Sequence, residues 1–325
     1  MKFLSAAQKI GDFFHPEEFP SSPTARFIHI VLLRKSDSEL VLRTDEGITK
    51  EMTRMGYQDV ETKPRVVFTK RKAVAPERRT GREFLRFHGI LVDDCSINAS
   101  MCGKCPDCLI YGYAAAESGK ESKGSLKSRV LTEDGYSILS ASEITELRTF
   151  NALSELETMV EFKDGKPEMR QSLGAAEYVK PEAHFVDVET LRDIREPEFI
   201  YVLGSILRTT RYGAMSSRIG KVSNIVVAIV GAEAEIFSSL QLTKLLWDNL
   251  SVNERTHPLK DDVLTEKLAK IIEDVCQKAP SRTELIVGDE LKKLLDETKK
   301  IYQNPKDFVE ALRKLKGILA SKTGD

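Results

Sequence analysis

The stretch RFIHIVLL, residues 26–33, is a nearly unbroken run of β-branched and aliphatic residues. Such a run reads as a strand buried inside a sheet. Across Lys35 to Glu39 a second extended segment, Leu40 to Arg43, suggests a hairpin, and RVVFT (65–69) is a further short strand. Behind Pro76, taken as the first turn of a helix, Glu77 to Phe87 places Phe84, Leu85 and Phe87 on one helical face. Val130 to Leu139 and Glu146 to Phe162 read as extended β pairs, with Asp164-Gly165 as a turn signal. His184 to Val188 and Ile225 to Val230 are strand-like, and Pro197 to Thr209 between them is a helix with Ile200, Leu203 and Leu207 on one stripe.

With the longer insertions set aside, the order is strand, helix, two strands, helix, strand. This is the ferredoxin-like split βαβ pattern, shared by the RNA-recognition-motif topology. The fold class expected is therefore α+β, with a discontinuous core over 25–92 and 126–234, an insertion over 93–125 and a projecting β-hairpin over 138–170. From Glu235 the pattern changes. Leu240 to Leu250, Val263 to Ala279, Asp289 to Tyr302 and Pro305 to Leu319 all follow helical spacing, which predicts a helical subdomain over 240–325.

A chain of 325 residues with 41% hydrophobic and 30% charged residues is long enough for a substantial core. Met1 to Phe14 lacks the pattern of a leader peptide, and the apolar run at Ile225 to Val230 is far short of a membrane span, so the expected location is the cytoplasm. A net charge of −1 argues against a uniformly basic nucleic-acid binder, yet the cations are clustered. From Lys63 to Arg86 nine Lys/Arg face two Glu, and Ile200 to Lys221 holds four Lys/Arg and no acid.

Four of the five cysteines, Cys95, Cys102, Cys105 and Cys108, fall in one window with Cys-x6-Cys-x2-Cys-x2-Cys spacing. In a reducing compartment such a set points to a metal rather than disulfides. Paired Cys-x2-Cys turns suit tetrahedral zinc; an iron–sulfur cluster is the rival, unligated thiols the third reading, and His88 an alternative ligand to one sulfur. Four full ligands leave no open position, so a catalytic zinc is disfavoured. Cys276 lies on an apolar helix face and reads as core.

The first basic segment, Lys70, Arg71, Lys72, Arg78, Arg79, Arg82 and Arg86, straddles the start of a predicted helix, with Arg78, Arg82 and Arg86 recurring at one-turn intervals. The second combines Arg208, Arg211, Arg218 and Lys221 with hydroxyls, glycines and Tyr212, whose ring is expected to stack on a base. Together they predict binding to a phosphate backbone.

Cys105-Pro-Asp-Cys-Leu-Ile-Tyr-Gly112, followed by Lys127-Ser-Arg-Val130, resembles a segment of the repeat-associated (RAMP) backbone proteins of CRISPR effector complexes. Ala75 to Glu83, Thr149 to Ala152 and Leu207 to Ala214 narrow the resemblance to the backbone subunit of type I-D complexes. The similarity spans about residues 25 to 230. It implies a protein that coats CRISPR RNA in several copies, stacked head to tail beside other subunits of the complex, and leaves the guide free to pair with target nucleic acid. It further implies a zinc-binding insertion and a thumb-like hairpin, for which the Ile138 to Arg170 segment is the candidate, with Phe150 as apolar wedge beside Asn151. The competing class is an enzyme. Some relatives cut the paired target with a loop aspartate and a divalent metal, and Asp37 or Asp45 occupies that neighbourhood. An aspartate in a hairpin is more often a turn former, so a non-catalytic role is expected.

Overall fold

The computed structural model describes residues 2–16, 22–44, 47–91, 95–97, 99–114, 125–151, 160–163, 165–169, 173–215 and 218–322. Strand β1 (Phe27–Ser36) forms from the apolar run and continues past it. Strands β2 (Lys50–Arg54) and β3 (Thr62–Phe68) follow, then helix α1 (Lys70–Phe87) and, in the cysteine-rich loop, the short helix α2 (Pro106–Tyr111). Next come β4 (Val130–Thr132), β5 (Gly135–Ser140), β6 (Thr145–Asn151), β7 (Leu173–Val179), β8 (His184–Arg192), α3 (Glu196–Arg208), β9 (Arg211–Met215) and β10 (Arg218–Ala232). The C-terminal region supplies α4 (Ser239–Asn249), α5 (Asp261–Lys278), β11 (Thr283–Ile286), α6 (Gly288–Gln303) and α7 (Lys306–Lys322).

The main sheet runs β9-β10-β1-β8-β5-β3-β2, with β4 on β8 and β11 on β10, and its pairs are antiparallel. Successive side chains of a strand point to opposite faces, and β1 uses both. Ile28, Ile30 and Leu32 join one buried cluster with Phe84, Leu85, Phe199, Leu203, Leu294 and Phe308. Val31 and Leu33 join a second with Phe185, Leu242, Leu246, Leu268 and Ile272. The chain is thus a mixed α+β protein whose central strand is covered on both faces, which is why its sequence reads as continuous rather than alternating. Helices α1, α3, α6 and α7 cover one face, and α4 and α5 the other. Strand β11, between α5 and α6, is a departure from the purely helical pattern expected beyond residue 240.

Two local expectations are corrected. Helix α1 begins at Lys70, six residues before the proline expected to open it, so Pro76 lies inside the helix. The Lys70 amide donates to Asp134 Oδ1 at 2.7 Å, which satisfies a first-turn donor and fixes the start there. The projecting hairpin expected over 138–170 is also displaced. Ile138 is a fully buried core residue of β5. The ribbon consists of β6 and β7, paired from Thr145↔Val179 to Asn151↔Leu173, so its return arm lies beyond Arg170. A second small hairpin, Val160–Lys163 with Lys166–Met169, lies between the arms in sequence.

Gly81 sets how closely α1 and α3 approach. A Cβ there would stand 2.5 Å from Ser205 Oγ and from the Tyr201 hydroxyl. The same closeness carries a hydrogen bond from Thr209 Oγ1 to Thr80 Oγ1 at 2.9 Å, which seats the C-terminal end of α3 beside the middle of α1.

Candidate metal centre and nucleic-acid interface

The four predicted cysteines converge. Sulfurs of Cys95 and Cys105 are 3.8 Å apart, Cys95 and Cys108 3.7 Å, and Cys102 and Cys108 3.8 Å, and all four lie within 4.8 Å of one another. Thiolates at about 2.3 Å around one tetrahedral ion stand about 3.8 Å from each other, so the cradle has the size of a single ion. Backbone amides of Cys102, Lys104 and Cys105 donate to Cys95 or Cys102 sulfur at 3.3 to 3.4 Å. Such donors favour the thiolate. Hydrogen bonds from Cys105 and then Cys108, with the Lys104 amide, lower Cys102 to about 6 against the opposing effects of Cys95 and burial. His88 is not in the cluster: its ring packs on Phe84 at 4.5 Å. Gly112 closes α2 at φ 72°, where a Cβ would stand 2.4 Å from the Leu126 carbonyl oxygen, so the glycine of the Tyr-Gly pair is a steric requirement.

Three of the predicted phosphate-binding cations, Arg78, Arg82 and Lys70, instead hold this loop and the core together. Arg82, almost fully buried, donates to Asp107 Oδ2 at 2.7 Å and to the Cys95 carbonyl at 2.5 Å. Arg78 donates to Asp107 Oδ2 at 2.9 Å and to the Gly112 carbonyl at 3.2 Å. Burial opposes both charges, but the hydrogen bond to the Cys95 carbonyl and the Asp107 carboxylate for Arg82, and Asp107 for Arg78, raise both guanidiniums above their ordinary range. Arg129 of the Ser-Arg-Val segment bonds the Leu109 carbonyl at 3.3 Å and Glu198 Oε2 at 2.9 Å, tying the loop to α3.

A second buried network corrects Lys70 and Tyr212. Arg34, fully buried in β1, bonds Glu77 at 2.7 Å, Asp187 at 2.5 Å, Glu189 at 3.0 Å, Asn224 at 2.7 Å and the Tyr212 hydroxyl at 3.2 Å. Lys70 Nζ lies 2.6 Å from Asp187. Tyr212 is fully buried and donates to Glu77 at 2.9 Å, so its ring offers no face to a base. Three carboxyls meet two cations here. Burial, with Glu189 adding to it against the pull of Arg34, lifts Glu77 to about 8. Glu77 Oε2 and Glu189 Oε2 are buried without a hydrogen-bond partner among the described residues, and a proton retained on Glu77 balances three carboxyls against two cations.

What remains exposed is a different set of cations. Arg71, Arg79 and Arg86 on α1, Arg208 at the end of α3, and Arg211 and Lys221 on β9 and β10 face solvent, with Lys72 half-buried. Arg208 also lies over the rings of Phe84 and Tyr302 at 5.3 and 5.1 Å. The Thr80–Thr209 and Glu77–Tyr212 bonds join these elements, so both cationic stretches flank one junction. Arg218 pairs with Met215 in the β9–β10 ribbon. Phe150 and Asn151 close the described end of β6, opposite Gly174 and Leu173. Asp37 is exposed and accepts from Ser223 Oγ at 2.6 Å, while its amide donates to the Lys221 carbonyl at 2.8 Å. Asp45 lies outside the described residues.

Sequence reasoning missed the buried anchors Arg34, Glu77, Asp107, Asp187 and Glu189. The one signal available was Arg34 itself, a cation continuing an apolar strand without a break.

With the cysteine cradle and the cationic junction in place, comparison with known proteins is decisive. The family model described as Csc2 Crispr matches residues 13–312. The chain belongs to the Csc2 CRISPR family. Its fold resembles that in the crystal structure of Thermofilum pendens Csc2, with a TM-score of 0.59 and 19% identity over 95% of this chain and 97% of that one. More distant likeness extends to a chain of a CRISPR RNA-guided surveillance complex, with a TM-score of 0.48, 10% identity, and 80% of this chain and 87% of that one covered. A chain of such a complex in a pre-nicking state gives a TM-score of 0.49 and 8% identity over 79% of this chain and 90% of that one. No curated protein matches the chain. Among the described residues no helix is long and apolar enough to cross a membrane.

Proposed function

We propose that this Csc2-family chain is a structural subunit that coats CRISPR RNA in multiple copies as the backbone of a type I-D effector complex in the cytoplasm. The observation that carries this reading is the junction between α1 and the α3–β9 turn, where Arg71, Arg79, Arg86, Arg208, Arg211 and Lys221 are exposed around the Thr80–Thr209 contact. Cations on adjacent elements with hydroxyls between them suit a phosphodiester chain irrespective of its sequence. That matches a guide whose specificity resides in base pairing.

The strand order β10-β1-β8-β5, with α1 and α3 on one face, supports a ferredoxin-like, RNA-recognition-motif core. Such modules commonly stack bases on an open sheet face. Here α4 and α5 cover that face, so the strand of RNA is held at the helix junction and along the β6–β7 ribbon, the thumb candidate that carries Phe150 and Asn151. Copies stack head to tail, an interface that extends rather than closes.

Zinc is the ion the cysteines would hold: four thiolates with single-ion spacing and amide support match its closed structural sites. Zinc bound there would supply structural ordering of the loop. The chain's own residues do the rest, with Asp107 receiving Arg78 and Arg82 and so locking the loop to α1. Cleavage of the target strand is the lesser reading. The Asp37 carboxylate is engaged by Ser223, and no other acid joins it in a metal-binding group among the described residues.

Purification from the native source followed by sequencing of bound RNA tests the proposal. Short RNAs sharing a constant repeat-derived end are expected; protein recovered free of RNA under the same conditions overturns it.

A further inference from the structure

Helix α1 ends on an aromatic ring that the core does not use. Phe87 is 85% exposed, more than any other large apolar side chain among the described residues. It nevertheless continues a series of ring contacts that begins in the core. Its ring meets His88 edge-on at 5.0 Å, His88 packs on Phe84 at 4.5 Å, and Phe84 packs on Tyr302 at 5.0 Å. A ladder of rings therefore climbs from the core to the surface and stops at Phe87.

The surroundings of that last ring are cationic. Arg86 is exposed with no side-chain partner among the described residues. Arg208 lies over Phe84 and Tyr302, one step down the ladder. Arg313 of α7 donates to the His88 carbonyl at 3.0 Å, which fixes its guanidinium beside the same turn. Glu310 holds Arg313 at 3.3 Å, and Glu83 on α1 is exposed. Burial, and then the charges of Arg313 and Arg208, press His88 below its ordinary range, a separate sign of the positive field at this spot.

We propose that Phe87 is a base-stacking residue for single-stranded RNA, with Arg86, Arg208 and Arg313 receiving the phosphates on either side of the stacked nucleotide. The inference rests on the RNA-binding reading above and extends it to a named platform. An exposed ring suits a base because every base offers a π-face, while flanking guanidiniums answer the backbone. Protein interfaces also enrich Phe and Arg, so self-association is one outcome the test must separate; the excess of guanidiniums around this ring favours a phosphate chain, and Arg79 and Arg86 continue the charged face of the same helix.

Fluorescence anisotropy of the full chain with a labelled single-stranded RNA of mixed sequence tests this. Phe87→Ala and Phe87→Leu should each weaken binding on the order of tenfold, Phe87→Trp should restore it, and the salt dependence should keep its wild-type slope because no charge is lost. If Phe87→Ala binds as tightly as wild type while Arg79→Glu binds more weakly, the stacking role is overturned and the RNA surface stands. If neither variant differs from wild type, the RNA surface itself is wrong. Loss of self-association with RNA affinity intact would mark Phe87 as a protein contact and also overturn the inference.

Discussion

Arg79 and Arg82 lie three residues apart on one helix, and the structure gives them opposite roles. Arg82 is about 1% exposed, with Asp107 Oδ2 at 2.7 Å and the Cys95 carbonyl at 2.5 Å. Arg82→Ala would leave a fully buried carboxylate supported by Arg78 alone and a loop carbonyl without that donor. Breaking a buried ion pair costs about 3–5 kcal/mol when the survivor is uncompensated. Arg78, still 2.9 Å from Asp107, offsets part of that, so the expected loss is about 2–3 kcal/mol. Arg79 is exposed and without a side-chain partner among the described residues, so Arg79→Ala should change stability by no more than about 0.5 kcal/mol. RNA binding should rank them the other way. Arg79→Ala removes a phosphate contact and should lower the slope of log K against log salt by about 0.7, whereas Arg82→Ala should leave the slope intact in the folded fraction. Urea unfolding and anisotropy at several salt concentrations measure both quantities. An Arg82→Ala protein as stable as wild type but with a shallower salt slope would refute the assignment of this side chain to the cysteine-rich loop.

Two further outcomes follow from the buried groups. Glu77 has its carboxyl raised from 4.5 to about 8 in the folded chain, so the folded state retains a proton that the unfolded state loses. Stability from this group is present below about pH 4.5 and is lost as pH rises toward 8; Glu77→Gln, which imitates the protonated form, should flatten thermal stability across that window and be the more stable protein above it. A wild-type profile unchanged by the substitution would show that Glu77 is ionised in the fold. Removal of bound metal with a chelator should release one zinc per chain and destabilise the protein, and Cys105→Ser should bind less zinc, both read by elemental analysis and thermal unfolding; full stability of a metal-free protein would remove zinc from the account.

The extent to which the sequence foretold these features depends on how local their causes are. The continuous apolar run at 26–33 announced a strand covered on both faces, and the helical periodicities beyond residue 240 placed α4 to α7, because both depend on patterns a few residues long. The cysteine spacing likewise led to a cluster that the fold brings within 4.8 Å. The facing of α1 was not legible. Arg78, Arg82 and Arg86 do recur at one-turn intervals, yet the first two turn inward because Asp107 arrives beside them from a loop 25 residues past Arg82. Tyr212 looked like a stacking ring in a basic loop; it is buried because Arg34 and Glu77, distant in sequence, need its hydroxyl. Pro76 suggested a helix start, but Asp134, 64 residues beyond Lys70, sets the start earlier. Long-range polar partners decided each of these, and single-chain periodicity carries no record of them.

Ultraviolet crosslinking of RNA to the native-source complex, with the adducts located by mass spectrometry, decides whether the two cationic stretches form one RNA surface. Adducts are expected along α1 from Arg71 to Phe87 and on the Arg208 to Lys221 segment, on both sides of the Thr80–Thr209 contact. Adducts confined to the α4–α5 side of the sheet, with none on either cationic stretch, would contradict it.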